Sequence, residues 1–374
     1  MTGERFPEAP LRGRGERVLV AMSGGVDSSV AAAVLKDRGF EVIGATMQIW
    51  PKSLPVGDRE GGCCSLAAVE DARRVASILG IPHYVLNFQE HFEREVIAHF
   101  AREYLRGRTP NPCIRCNQRI KFGRLLHKAR ELGAAYVATG HYAKVRLGPD
   151  AGRYMLLKAR DARKDQTYVL YSMTQDELSR TLFPIGDFTK EQTREVAARL
   201  GLPVAEKPES QEICFIPDDD YRRFLREYLP ESRRPGPIID LDGRVLGEHE
   251  GIAFYTVGQR KGLGISSGEP LYVVDLDPAR NAVVVGHARD VLASGLVAAE
   301  LNWIPFDSLE TAMRAEAKIR YNTPAVPGWI VPRAPDEVEV RFDSPQRAVT
   351  PGQSCVFYDG DIVIGGGIIQ GRED

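Results

Sequence analysis

Apolar positions in the first part of the chain follow two alternating rhythms. Short β-branched runs, RVLVA from Arg17, EVIGATM from Glu41, PHYVLNF from Pro82 and AAYVATG from Ala134, have the length and composition of buried strands. Between them lie longer stretches with helical spacing. These are SSVAAAVLKDRG, ending on Gly39; SLAAVEDARRVASILG, with Ser65 placed to cap it and Gly80 just past its end; and two more over about 90–105 and 118–132. Strands alternating with helices predict a doubly wound α/β domain with a parallel sheet, because a parallel pair needs a crossover long enough to hold a helix. Past about residue 215 the rhythm changes. The stretch ESRRPGPIIDLDGRVLGEHEG is rich in glycine and proline, and LYVVDLD, NAVVVG, EVEVRFD, SCVFYDG and IVIGGGIIQ read as strands separated by turns. That pattern predicts a small mixed domain followed by a C-terminal β-barrel. The boundaries drawn this way are a loose tail over 1–16, the α/β domain over 17–215, the central domain over 216–285 and the barrel over 286–374.

Composition narrows the classes. A chain of 374 residues holds two or three domains of ordinary size. The formal net charge is −2, so a polyanionic partner has to meet a local basic face rather than a basic protein. No apolar run approaches the roughly 18–20 residues that span a bilayer, and the N-terminal segment has no hydrophobic signal core, which places the chain in the cytoplasm. In that compartment six cysteines serve catalysis, metal binding or packing rather than disulfide staples.

The stretch SGGVDSS, residues 23–29, follows a strand and opens a helix. Backbone N–H groups and a helix N-terminus at one spot favour an anion, and glycine lets the backbone approach it closely. The kinase-type G-x-x-x-x-G-K-[ST] loop and the dinucleotide G-x-G-x-x-G pattern are both absent, so those readings lose their main support. Asp27 either positions phosphates or Mg²⁺ or is a structural helix-start carboxylate.

In TPNPCIRCNQRIKF, residues 109–122, two prolines fix a turning segment and Cys113 and Cys116 follow where a helix begins. A helix start and neighbouring Arg115 and Arg119 favour a thiolate, so either cysteine is a candidate nucleophile. C-x-x-C is also half of a zinc site, but no second half occurs in the sequence. From Arg102 to Arg130 nine basic residues face one acid, Glu103, which beside a phosphate loop points to nucleic acid. A second basic patch lies in YRRFLREYLPESRR, residues 221–234. Cys214, beside Ile213 and Phe215, is either a partner of this chemistry or a buried hydrophobe, and the local residues leave that open.

Taken together, SGGVDSS (23–29), TPNPC..CN..IKF (109–122), ATGHYA (138–143), KDQTYVLY (164–171), ICFI (213–216), GQRKGLGI (258–265), RY (320–321) and TPGQ (350–353) resemble the tRNA-specific 2-thiouridylase family. The loop itself is similar to that of the ATP pyrophosphatases of the adenine nucleotide alpha hydrolase type. The resemblance implies that ATP adenylates the C2 oxygen of the wobble uridine in tRNA, with loss of pyrophosphate, and that sulfur then displaces AMP to give 2-thiouridine. It implies ATP, carried with Mg²⁺, at Ala21, Met22, Ser23, Gly24, Gly25, Val26, Asp27, Ser28, Met47 and Gly140. It places the target base at Asn111, Pro112 and Cys113, and tRNA contacts or site-shaping roles at His141, Lys164, Asp165, Gln166, Arg320, Tyr321 and Gln353. The tRNA partners it implies are those for Lys, Glu and Gln, and the sulfur comes from a desulfurase, a relay protein or sulfide.

By the same resemblance Cys116 is the nucleophile and Cys214 carries a persulfide, the two forming a disulfide that needs reduction. One departure stands out: well-known family members carry an aspartate, proposed as an acid–base group, where this chain has Cys113. That opens a second chemistry, in which Cys113, Cys116 and Cys214 hold a [4Fe–4S] cluster whose fourth iron binds sulfide. Both chemistries stay open at the level of sequence.

Overall fold

The computed structural model describes residues 13–51, 66–149, 152–208, 213–216 and 218–374. Cys63, Cys64 and Ser65, with its expected capping role, lie outside the described residues. The chain forms two compact units. The first holds residues up to 96, 113–219 and 361–363; the second holds 97–112, 220–360 and 364–374.

The first unit is the expected parallel sheet. Its strands are β1 (Arg17–Ala21), β2 (Glu41–Gln48), β3 (His83–Asn87), β4 (Tyr136–Ala138), the hairpin pair β5 (Lys144–Leu147) and β6 (Tyr154–Leu157), and β7 (Thr181–Leu182). The sheet order is β3-β2-β1-β4-β7, all parallel. Helices α1 (Val26–Asp37) and α2 (Leu66–Leu79) form the first two crossovers. Val18 and Val20 on β1 pack with Val30, Val34 and Leu35 on α1 and with Ala72 and Val75 on α2 in one buried cluster. Gly39 and Gly80 follow those helices with φ of +86° and +59°, the left-handed geometry expected of residues that end a helix. Residues 13–15, drawn into the loose tail by the sequence, are tied down: the Gly13 N–H donates to the Arg38 carbonyl at 2.9 Å.

The helix expected over 118–132 begins earlier, at Pro112. A proline suits a helix's first turn, where its missing N–H has no partner to lose. Pro112–Cys116 runs on into a wide π-wound stretch, Asn117–Arg124, and then into Leu125–Glu131. The helix over Lys190–Arg199 opens on a capping box: the Thr189 hydroxyl accepts the Gln192 N–H and the Gln192 side chain accepts the Thr189 N–H.

In the second unit, β8 (Gly236–Ile239), β9 (Val245–His249), β10 (Tyr272–Asp277) and β11 (Ala282–Gly286) form a sheet in the order β10-β11-β8-β9. The remaining strands are β12 (Leu292–Trp303), β13 (Met313–Lys318), β14 (Val326–Ala334), β15 (Glu337–Arg347), β16 (Ser354–Asp359) and β17 (Ile362–Glu373). They run in the order β12-β15-β14-β13-β16-β17, and β17 pairs back onto β12, which closes the expected barrel. Closure leaves no open edge among those strands. Its interior includes Leu296, Val340, Cys355 and Phe357, all fully buried. Residues 97–112 join this unit through aromatic packing: Phe100 lies 6.2 Å from Phe224, and Tyr104 stacks on Tyr221 at 5.0 Å.

Candidate active site

In the first unit β1 and β4 are neighbours, but the chain goes on from β1 to β2 on one side and from β4 toward β7 on the other. Such a switch point opens a crevice at the carboxyl ends of the strands. The loop Ser23–Gly25 leaves β1 at this point and Thr139–His141 leaves β4. A side chain at Gly140 would put its Cβ 2.6 Å from the Asp27 carbonyl carbon and the Ser28 nitrogen, so glycine is what lets the two loops meet. Gly24 has φ of +69°, and a Cβ there would collide with the Ala68 carbonyl of α2. Ser28 and Ser29 both return their hydroxyls to the Gly25 carbonyl, at 3.2 and 2.8 Å. The Ser28 oxygen also accepts the Ser23 N–H at 3.2 Å, which draws the loop into a small ring. Met22 continues the ladder to the Ala45 carbonyl at 2.8 Å, and Met47 sits near the same end of β2. The residues named for ATP thus fall at the carboxyl end of one sheet.

Asp27 is engaged by the protein. Its carboxylate accepts from the Lys190 ammonium at 2.7 and 2.8 Å and from the Tyr142 hydroxyl at 3.0 Å. Lys190 is only 6% exposed, whereas the Asp27 side chain is 32% exposed, so the lysine end of the pair is buried and the carboxylate end stays partly open. Lys207 donates to the Gly24 carbonyl at 3.0 Å and to Asp71 at 2.6 Å. Neither lysine is singled out by the sequence, because each reaches the loop from more than 160 residues away.

His141 is buried between Phe122 and Phe183, with ring centroids 6.2 and 6.0 Å away. Burial, and then the charge of Lys121, hold its imidazole well below the ordinary value. The ring is neutral: Nε2 accepts from the Lys121 ammonium at 3.4 Å, which leaves the proton on Nδ1, donated to the Thr139 hydroxyl at 2.7 Å. Gln166 clasps the next residue twice, accepting the Tyr142 N–H at 2.9 Å and donating its own N–H to the Tyr142 carbonyl at 2.9 Å. Asp165 accepts from the Ala159 N–H at 2.9 Å and the Thr167 hydroxyl at 2.5 Å. The Lys164 N–H turns back to the Asp161 carbonyl at 3.0 Å.

Cys113 is exposed, and Cys116 and Cys214 are half-buried. Cys214 differs from its neighbours Phe215 and Ile216, which are 3% and 2% exposed. Phe215 packs edge-on to Phe92 at 5.8 Å, so the aromatic neighbour anchors a segment whose thiol stays accessible. Among the described residues no group of three or more His, Cys, Asp or Glu is arranged to hold a metal ion.

Two motifs far apart in sequence meet within the second unit. The Gln353 amide donates to the Thr109 carbonyl at 2.8 Å, and the Thr109 N–H donates to the Pro351 carbonyl at 2.8 Å. TPNP and TPGQ are therefore stitched together, and Asn111 and Pro112 follow directly. Arg320 braces the same turn, donating to the Ala348 carbonyl at 2.9 Å and the Thr350 hydroxyl at 2.7 Å. Tyr321 beside it is exposed.

The stretch from Arg102 to Arg130, with its nine basic residues, is less uniform than its sequence. Arg106 and Arg108 both pair with Glu103, Arg115 with Glu95, Lys128 with Glu131 and Arg130 with Asp176. No helix among the described residues is long and apolar enough to cross a membrane.

Three family models match successive stretches: a tRNA methyl transferase HUP domain over 16–218, a tRNA methyl transferase PRC-barrel domain over 222–287 and an aminomethyltransferase beta-barrel domain over 293–369. Among full-length relatives, the tRNA-specific 2-thiouridylase MnmA of Heliobacterium modesticaldum is 60% identical over 95% of this chain and 92% of its own length. The protein of the same name from Carboxydothermus hydrogenoformans is 56% identical over 96% and 98%. The chain belongs to the tRNA-specific 2-thiouridylase family. A third thiouridylase, from Moorella thermoacetica, is 56% identical over 94% of this chain and 99% of its own. The family models speak of methyl transfer, but the thiouridylases match 94–96% of the chain.

Proposed function

We infer that this protein is an ATP-dependent tRNA 2-thiouridylase that works in the cytoplasm. The observation that carries the reading is the SGG loop seated at the β1/β4 switch point, in a chain that matches a thiouridylase over 95% of its length. Mg·ATP enters as substrate, held by Ala21–Ser28, Met47 and Gly140, with its β- and γ-phosphates at the loop. Asn111, Pro112 and Cys113 face the wobble uridine of tRNAs for Lys, Glu and Gln. Tyr321 offers an exposed ring to the tRNA, and His141, Lys164, Asp165, Gln166, Arg320 and Gln353 contact tRNA or shape its site.

The uridine C2 oxygen attacks the α-phosphorus, and the bond to pyrophosphate breaks. A carbonyl oxygen is a poor leaving group, and adenylation makes it a good one. The terminal sulfur of a persulfide on Cys214, loaded by a desulfurase or relay donor, then bonds to C2. The Cys116 thiolate attacks Cys214 Sγ, the sulfur–sulfur bond breaks, and AMP departs with the former O2. A Cys116–Cys214 disulfide remains, and a dithiol reductant returns it to thiols.

Separating the two half-reactions tests this. With unmodified tRNA, Cys214→Ser and Cys116→Ser should still release pyrophosphate while forming no 2-thiouridine by mass spectrometry. A Cys214→Ser protein that still thiolates would refute the persulfide route. The Cys113 substitution favours a cluster as the second reading, decided by iron and acid-labile sulfide on protein purified without oxygen. About four of each, with thiolation lost on stripping iron, would establish it. Active iron-free protein would dismiss it.

A further inference from the structure

The pyrophosphate loop lacks a lysine of its own, yet Lys207 is bonded to it from outside. Its ammonium donates to the Gly24 carbonyl at 3.0 Å and to Asp71 on α2 at 2.6 Å. The base of the side chain is held as well. Arg194 donates to the Ala205 and Lys207 carbonyls at 2.7 and 3.2 Å, and the Lys207 N–H donates to the Val204 carbonyl at 3.1 Å. On its other wall Gly24 abuts Ala68, one turn before Asp71 on the same helix.

We propose that Lys207 is a positioning residue for adenylation, fixing the Gly24–Gly25 peptide so that the Gly25 N–H faces the departing pyrophosphate. The peptide is planar and trans, so its C=O and N–H point in opposite directions. A carbonyl held by Lys207 therefore turns the Gly25 N–H away from Lys207 and Asp71. Gly25 is the N-cap of α1, with φ −101° and ψ 165°, so its N–H lies ahead of the helix at the positive end of the dipole. Left alone, a Gly-Gly peptide has little to stop it rotating, and a rotated peptide would present a carbonyl oxygen to an anion. Charge on the β-phosphate grows as the bond to the α-phosphorus breaks. A fixed donor is therefore worth more in the transition state than in the bound ground state.

This inference rests on the adenylation reading above, and the experiment keeps the two apart. Full-length protein, Mg·ATP and an unmodified tRNA transcript are used, with pyrophosphate release measured in single turnovers across ATP concentrations. Release by the wild type tests adenylation itself. Losing an oxyanion donor outright costs about 100- to 1000-fold, so misaligning one by Lys207→Met should lower the maximal rate by about 10- to 100-fold, with the half-saturating ATP concentration moving much less. Lys207→Arg keeps a cationic donor and should recover most of the rate, and ethylamine should partly restore Lys207→Ala. Asp71→Asn keeps the lysine on Gly24 and should stay near wild type even if Lys207→Met fails to fold. The proposal is overturned if Lys207→Met matches the wild-type rate. It is equally overturned if Asp71→Asn falls as far as Lys207→Met while arginine and ethylamine rescue nothing, since the lysine would then only tie α2 in place.

Discussion

Gly24 has no room for a methyl group. Its φ of +69° costs any other residue about 1–2 kcal/mol, and the new Cβ would meet the Ala68 carbonyl. Gly24→Ala should abolish the rise in melting temperature that Mg·ATP produces in the wild type; an undiminished rise would show that the loop tolerates a side chain. His141 makes a pH prediction of definite sign. The folded protein keeps the ring neutral, whereas the unfolded chain protonates it near 6.5. Its contribution is complete above about pH 6.5 and drains away below it, as the unfolded state takes up a proton the folded state refuses. The denaturation midpoint should therefore fall between pH 7 and 5.5, and His141→Gln should flatten that part of the curve. An unchanged slope in the variant would show that other groups carry the acid sensitivity.

Among the elements, the helix over Lys190–Arg199 holds more of the site than its sequence advertises. Its start carries the Thr-x-x-Gln signature of a capping box, so the helix itself can be read from residues 189–192. That Lys190 reaches Asp27, and that Arg194 steadies Lys207, cannot be read, because those partners meet only when the sheet brings distant loops together. Thr189→Ala should cost about 0.5–2 kcal/mol in denaturant titration and lower adenylation beyond that cost by loosening Lys190 and Arg194. Strands β1 to β4 were written in their β-branched runs, and SGGVDSS named the loop. The two-residue strand β7 has no pattern of its own and exists through its pairing with β4. The π-wound stretch after Cys116 likewise has no sequence signature, since helical periodicity does not distinguish a wide turn from an ordinary one.

On the scale of the whole molecule, a net charge of −2 means that tRNA is held by local cations and not by overall attraction. Several basic residues between 102 and 130 are already matched by acids, so fewer phosphates are engaged than a count of positive charges suggests. The affinity for tRNA should still fall at least about tenfold between 50 and 200 mM salt, with a shallower log–log slope than nine phosphate contacts would give. Filter binding across that range measures it, and a salt-independent affinity would rule out an electrostatic interface. Cys355 gives the barrel a property of another kind. It is fully buried on β16, and burial pushes its thiol far above the ordinary range. A thiol reagent reaches it only when the closed strands come apart. In a protein stripped of Cys113, Cys116 and Cys214, its rate of labelling therefore becomes a clock for how often the barrel opens, once the contribution of Cys63 and Cys64 has been removed by substitution.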